Sequence, residues 1–479
     1  MLSTVRGVRT IRTILATLAC LGAVGVAPAV AAPPPIRHVF VIVLENKGFS
    51  ETFGANSQAP YLSGTLRDQG QLLANYYAVA HLSLPNYIAM VSGQAPNPVT
   101  QSDCQFYMDM VPGSIGADGQ AVGQGCVYPS PVKTVADQLR AAGLTWRGYM
   151  QDMGNSPTEP TTCRHPALNS QDKTQSAKVG DQYAARHNPF MYFHSIIDDA
   201  ASCNANVVPL DRLPADLAST QSTPNYSFIT PNLCEDGHDA PCVDGRPGGL
   251  VSSDAFLRTW VPRILASPAF RQDGLLLVTF DEAENADATA CCDEQSGPNS
   301  PNPGGPTPGP GGGLTGAVAL SPWIRPGSTN AHPYNHYGFL RSVEDIFGLS
   351  HLGYAGRAGL DAFGPDVYNG DGPAIVGPAC VESALPSPRR GVYRRGSLIA
   401  SAKIVRRRGR AYLRLVFRHR ASLDARQIQR VRGRRRTVRI RLRSVRSCRS
   451  YLRTLSRGHG SVTITARSGR GRESRTVRF

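Results

Sequence analysis

The stretch His38-Val39-Phe40-Val41-Ile42-Val43-Leu44, closing on Glu45-Asn46, decides how the rest of this 479-residue chain is read. It is an apolar run of strand length without polar alternation, so both of its faces are expected to be buried, as in the parallel sheet of an α/β protein. A second run, Leu275-Leu276-Leu277-Val278-Thr279-Phe280, stops in the same way on Asp281-Glu282. Parallel strands line up their carboxyl ends, so two such ends carrying acids imply one shared polar crevice. Between them stands His81-Leu82-Ser83-Leu84-Pro85-Asn86-Tyr87, a hydroxyl placed just ahead of a proline suited to opening a helix. Acids, a hydroxyl and later histidines point to hydrolytic chemistry.

The flanking segments extend the pattern. Residues 59–66 predict a short helix, 71–77 a strand, 85–90 a helix stopped by Ser92-Gly93, and 134–142 a helix feeding a strand over 145–149. A strand over 226–230, a helix over 253–266, a strand over 317–320 and a helix over 337–347 follow. Strands alternating with helices predict an α/β fold, a mostly parallel sheet flanked by helices, spanning residues 32–370. The Gly- and Pro-dominated stretch 295–313 reads as a mobile insertion loop, and residues 371–388 as a linker.

The N-terminus carries Arg6, Arg9 and Arg12, an apolar run from Ile14 to Val26, and Ala29-Val30-Ala31. That order predicts a signal peptide over residues 1–31 and a secreted product; the apolar run is shorter than the roughly 20 residues of a spanning helix. Ten further cysteines, with no Cys-x-x-Cys pair, favour disulfides over thiolate-bound metal in an exported chain. Cys104 with Cys126 and Cys234 with Cys242 are the expected local bridges, while the adjacent Cys291 and Cys292 are each expected to reach a different partner. Charge divides the chain: residues 389–479 hold 29 Arg and one Lys against Asp424 and Glu473, net +28, which leaves −12 for residues 1–388 of a chain at +16. Strand-length apolar clusters at 411–417, 437–443 and 461–465 make that tail a small Arg-rich β module. It is a candidate for binding an anionic cell-surface polymer. Specific nucleic-acid recognition is not expected, because few aromatics accompany the arginines.

Five constellations are candidates for chemistry. Glu45 and Asn46 offer hard oxygen ligands for a divalent cation, though both also serve as turn or helix caps. Ser83 at a helix start sits where backbone N–H groups favour an anion, but serine before proline is also a routine cap. His238, in the acidic loop Cys234-Glu235-Asp236-Gly237-His238-Asp239, suits metal binding or proton donation, or is simply part of a surface turn. Asp281 and Glu282 could join Glu45 around a cation. His336 opens the last helix. No Walker or dinucleotide loop occurs, and Gly-x-Ser-x-Gly is absent around Ser83.

In order and spacing, Glu45-Asn46-Lys47-Gly48-Phe49, the His81–Tyr87 motif, the Asp236–Asp239 loop, Phe280-Asp281-Glu282 and Asn335-His336-Tyr337 resemble the bacterial phosphoesterase family of the alkaline phosphatase superfamily, over about residues 36 to 370. That family contains acid phosphatases and phospholipases C. The resemblance implies Ser83 as nucleophile, Glu45, Asn46, Asp281 and Glu282 as metal ligands, and His238 and His336 as phosphate-contacting or proton-donating residues. His81 and Asn86 are implied to bind substrate. Glu282 stands where two-metal relatives carry histidine, so one divalent ion is expected. Lys47-Gly48 after the first Glu-Asn pair favours a phosphomonoesterase over a phospholipase C acting on phosphodiester lipids. The substrate expected is a phosphate monoester or phospholipid; a non-catalytic polyanion- or surface-binding protein is the reading from another class.

Overall fold

A computed structural model describes residues 32–370 and Gly372 in full, and between 399 and 478 the backbone of the strands. Eight strands form the main sheet: β1 (His38–Leu44), β2 (Gln71–Leu73), β3 (Trp146–Met150), β4 (Val207–Pro209), β5 (Tyr226–Thr230), β6 (Gly274–Phe280), β7 (Ala317–Leu320) and β8 (Ser328–Asn330). Their order across the sheet is β8-β2-β7-β6-β1-β5-β3-β4. Only β7 runs antiparallel to its neighbours. The two long apolar runs are adjacent, parallel and central, with Leu44 paired to Phe280. That register sets Glu45 level with Asp281.

Burial on both faces explains the unbroken apolar sequence of β1. Val39, Val41 and Val43 pack with Leu84, Tyr87 and Ile88 of α1 (Ser83–Ser92), Val135 and Leu139 of α2 (Val135–Ala141), and Phe339, Leu340 and Val343 of α4 (His336–Phe347). Phe40, Ile42 and Leu44 face the opposite layer, with Leu250, Leu257, Val261 and Ile264 of α3 (Gly249–Ala266). Each fully buried aliphatic side chain contributes about 1.5–3 kcal/mol, so the centre of the sheet is the most strongly held part of the site's scaffold. Thr134 caps α2 in a reciprocal capping box with Asp137, and Gly93 in the left-handed region ends α1.

Three sequence expectations need correction. The strand expected over 71–77 breaks: β2 ends at Leu73, and Tyr76–Tyr77 pairs with Tyr334–Asn335 in a separate ribbon. Cys291 and Cys292 bond to each other rather than to different partners. Left-handed backbone at Cys292 and Asp293 folds the chain back there, and Cys104–Cys126, Cys163–Cys203 and Cys234–Cys242 use up the other half-cystines among the described residues. The 295–313 loop lacks regular structure as expected, but it is tied down: Pro303 O accepts the His81 N–H at 3.0 Å and Asn302 O accepts from Gln101 Nε2 at 3.0 Å.

The strands between 399 and 478 form one three-stranded and one four-stranded antiparallel sheet. The segments expected as signal peptide (1–31) and, apart from Gly372, as linker (371–388), and the side chains of the arginine-rich tail, lie outside the described residues. No helix among the described residues is long and apolar enough to cross a membrane.

Candidate functional site

Ser83 is presented by a strained turn. Leu82, a non-glycine residue, has φ 65°, and the helix begins at the next residue. Such a conformation costs of order 1–3 kcal/mol and persists only where neighbours enforce it. Asn86 does so: its Oδ1 accepts the N–H groups of Val79 and Ala80 at 3.0 and 3.1 Å, while its Nδ2 donates to Ala80 O and Leu82 O at 2.7 and 3.0 Å. Asn86 is fully buried and spends its amide on this loop, so it shapes the turn instead of reaching substrate.

Ser83 Oγ donates to Glu45 Oε2 at 2.7 Å, and the Tyr87 hydroxyl, one turn along α1, donates to Glu45 Oε1 at 2.6 Å. The loops after β6 and β5 close round this pair. Asp281 N–H binds Leu44 O at 2.8 Å, and Asp281 Oδ1 accepts from the Asn46 N–H at 2.9 Å. Asn46 lies in the left-handed region (φ 54°), where asparagine is among the better tolerated non-glycine residues. From the other side, Glu45 N–H binds Asp236 O at 2.9 Å. That approach requires Gly237, which has φ 113° and where a Cβ would stand 3.0 Å from Glu45 O.

Two members of this cluster escaped the sequence reading. His187 places Nε2 3.2 Å from Glu45 Oε1 and Nδ1 3.3 Å from Asp236 Oδ2, without hydrogen-bond geometry in either contact. Its ring stacks on Tyr87, and burial, helped by Arg186, lowers its pKa so that the imidazole is neutral. Asp236 lies in the acidic loop of His238, where nothing in the sequence ranks it above its acidic neighbours Glu235 and Asp239. His187 sits in a short turn far in sequence from every strand of the main sheet, and no periodicity marks it; the fold brings it to the end of β5, where the Thr230 hydroxyl donates to His187 O at 3.1 Å.

Burial, followed by the charges of Asp281 and Asp236, raises the Glu45 pKa; burial likewise raises Asp236 and Asp281. Three buried carboxylates converge while Asn46 Oδ1, Asp236 Oδ2 and Asp281 Oδ2 have no hydrogen-bond partner among the described residues. Uncompensated buried charge costs several kcal/mol per ion. Glu45, His187 and Asp236 each offer an atom within 4.8 Å of the others. Hard oxygens with one neutral imidazole fit a divalent cation.

The remaining expected residues fall elsewhere. Glu282 is bound to His81 Nδ1, while His81 Nε2–H donates to Asp287 O at 2.8 Å. Both His81 nitrogens are thus spent within the protein, and Glu282 is a partner of His81 and not of the acidic cluster. His336 is fully buried, with Nε2 on Asp281 O at 2.6 Å and Nδ1 3.2 Å from the Tyr76 hydroxyl. It steadies the Asp281 turn from behind. His238 is brought to the rim: its side chain is 38 % exposed, Nδ1 meets Asp239 Oδ1 at 2.8 Å, and Nε2 has no partner among the described residues.

The model of the phosphoesterase family matches residues 55–350. Similar proteins include a probable acid phosphatase of Kluyveromyces lactis, 25 % identical over 66 % of this chain and 59 % of its own length, and a phosphate-repressible acid phosphatase of Penicillium chrysogenum, 27 % identical over 60 % and 54 %. The phosphatidylinositol-3-phosphatase of Mycobacterium tuberculosis is 26 % identical over 69 % of this chain and 83 % of its own. The chain thus spans little more than half of the two fungal relatives. A solved protein of the alkaline phosphatase superfamily from Vibrio parahaemolyticus aligns over 81 % of this chain and 78 % of its own at 11 % identity, with a TM-score of 0.37. A family match that takes in more than half of the chain, laid over a sheet whose strand ends gather an acidic cluster around a helix-borne serine, makes this chain a member of the phosphoesterase family.

Proposed function

We propose that residues 32–370 form a secreted phosphomonoesterase of acid phosphatase type that uses Ser83 as nucleophile. The observation that carries this reading is the Ser83 Oγ to Glu45 Oε2 hydrogen bond of 2.7 Å at the head of a buried helix, inside the cluster of unpartnered acidic oxygens. Glu45, fixed on its other oxygen by Tyr87, orients the Ser83 hydroxyl and accepts its proton, which leaves the oxygen lone pairs free to attack phosphorus. Glu45, Asn46, Asp236 and Asp281, with His187, would hold one divalent ion. When bound, such an ion lowers the hydroxyl's pKa and shields charge on the transferring group. His238 on the rim, with Nε2 free and Nδ1 held by Asp239, delivers a proton to the leaving alcohol. A phosphoserine forms, and water releases it.

The similarity to a phosphatidylinositol-3-phosphatase supports phosphoinositides among the substrates. The +28 tail supports binding to an anionic cell-surface polymer. Turnover of p-nitrophenyl phosphate, phosphoinositides and phosphatidylcholine by purified protein tests the assignment. Inorganic phosphate from the monoesters is expected; diacylglycerol from phosphatidylcholine with no phosphate release would replace this reading with a phospholipase C.

A further inference from the structure

Arg186 is an arginine that the proposed chemistry leaves unused. It is only 4 % exposed, yet its guanidinium makes a single hydrogen bond among the described residues, from Nη1 to Gln175 O at 3.0 Å. A buried guanidinium ordinarily spends several of its donors. Its one close acid is Asp103, whose Oδ2 lies 3.8 Å from Arg186 Nε, an ion-pair distance beyond hydrogen-bond length. The other oxygen, Asp103 Oδ1, accepts the Leu84 N–H at 3.0 Å, directly after the nucleophile. Arg186 is therefore one carboxylate removed from the backbone that carries Ser83, and it is next in sequence to His187, which contacts Glu45 and Asp236.

The surroundings hold this arginine in place. Gln175 Nε2 donates to Asp103 O at 2.9 Å and to Asp172 Oδ2 at 2.8 Å, and Thr174 Oγ1 accepts the Ala185 N–H at 2.8 Å. Asp103 has left-handed backbone and precedes Cys104, which the bridge to Cys126 fixes. Two segments distant in sequence, 103–104 and 172–175, thus fix one cation at the head of α1.

Resting on the phosphoesterase reading of the site, we propose that Arg186, oriented by Asp103, binds the non-bridging oxygens of the phosphoryl group as Ser83 attacks. A planar guanidinium with free donors matches two phosphate oxygens at once, and those oxygens carry the charge that must be stabilised in the transition state. Asp103 is a positioning residue: it holds Arg186 and the first turn of α1 in one geometry.

Calorimetric titration of the full chain with inorganic phosphate, alongside p-nitrophenyl phosphate kinetics and thermal melts, tests this. Arg186→Ala is expected to weaken phosphate binding by about tenfold or more and to lower kcat/KM by at least as much, with part of the turnover restored by added guanidinium ion. Arg186→Lys, which keeps the charge and loses the fork, is expected to fall in between, and it decides the matter should the alanine variant not fold. Phosphate affinity within about twofold of wild type in a folded Arg186 variant would overturn the assignment and leave Arg186 as a buried counter-charge. Wild-type protein that releases no phosphate from any monoester would instead overturn the reading of the site itself, whatever the arginine variants do.

Discussion

Glu45 is the residue on which the site turns, because it touches Ser83, Tyr87 and His187 at once. Tyr87→Phe removes one charge-assisted bond and leaves Glu45 Oε1 facing His187 alone. The expected outcome is a fall in kcat of roughly ten- to a hundredfold with little change in KM, since such bonds are worth about 1.5–3 kcal/mol. Asp281→Asn keeps an acceptor for the Asn46 N–H but removes charge from the cluster. Its expected signature is weaker retention of a divalent ion, seen as activity lost at a lower chelator concentration than in wild type; equal chelator sensitivity would remove Asp281 from the proposed ligands. At this scale the sequence was legible wherever a residue's position in the cluster follows from its place on an element. Glu45, Asn46, Ser83 and Asp281 all sit at a strand end or a helix start. Asn86, His81 and His336 were legible as members of the motif but not in their roles, because whether an amide or imidazole faces a crevice or a backbone carbonyl depends on a loop path that no local pattern encodes. His187 illustrates the opposite case, a contact made only by tertiary folding of an irregular segment.

At the scale of elements, α1 follows a strained turn at Leu82 and α4 buries a carboxyl group at Glu344. Leu82 holds its conformation through Asn86, so Asn86→Ala is expected to cost about 2–4 kcal/mol by urea denaturation and to reduce turnover by misplacing Ser83. Unchanged stability would show that the turn does not depend on this amide. In α4, Glu344 is buried, with Oε1 accepting the Leu352 N–H at 2.8 Å and Oε2 without a partner among the described residues. Burial pushes its pKa up to about 9, so it is protonated in the folded state at neutral pH. A raised carboxyl pKa means that the folded state binds the extra proton: its contribution is complete below the ordinary value of 4.5 and is lost as pH climbs toward 9, by at most about 1.4 kcal/mol per pH unit. Glu344→Gln is expected to flatten the decline in melting temperature between pH 5 and 8; an unaltered slope would contradict the buried neutral form. The elements themselves were readable from their patterns, since β1 is apolar from Val39 to Leu44, β6 is apolar but for Thr279, and α4 shows a broad apolar face. The break after Leu73 was not, because an apolar and aromatic run reads as one strand whether or not the chain turns at Asn75.

For the whole molecule, the division of charge sets the expectations. Deleting residues 389–479 should leave p-nitrophenyl phosphate turnover within about twofold, while salt-sensitive binding to a polyanion such as heparin should vanish. Loss of turnover with the tail would place it in the catalytic fold. The fold class was legible because strands buried on both faces leave an unmistakable apolar signature, whereas the closure of the site was not, since it relies on the loops after β5 and β6 and the turn that carries His187 together. The measurement that bears most directly on the account is trapping of a covalent intermediate: the full-length protein is acid-quenched during turnover of a phosphate monoester and its peptides are analysed by mass spectrometry. Phosphate is expected on Ser83 in wild type and is expected to disappear in Ser83→Ala, with a fall in turnover of roughly 10³-fold or more in that variant. Wild-type turnover by Ser83→Ala, or phosphate trapped on a different residue, would contradict it.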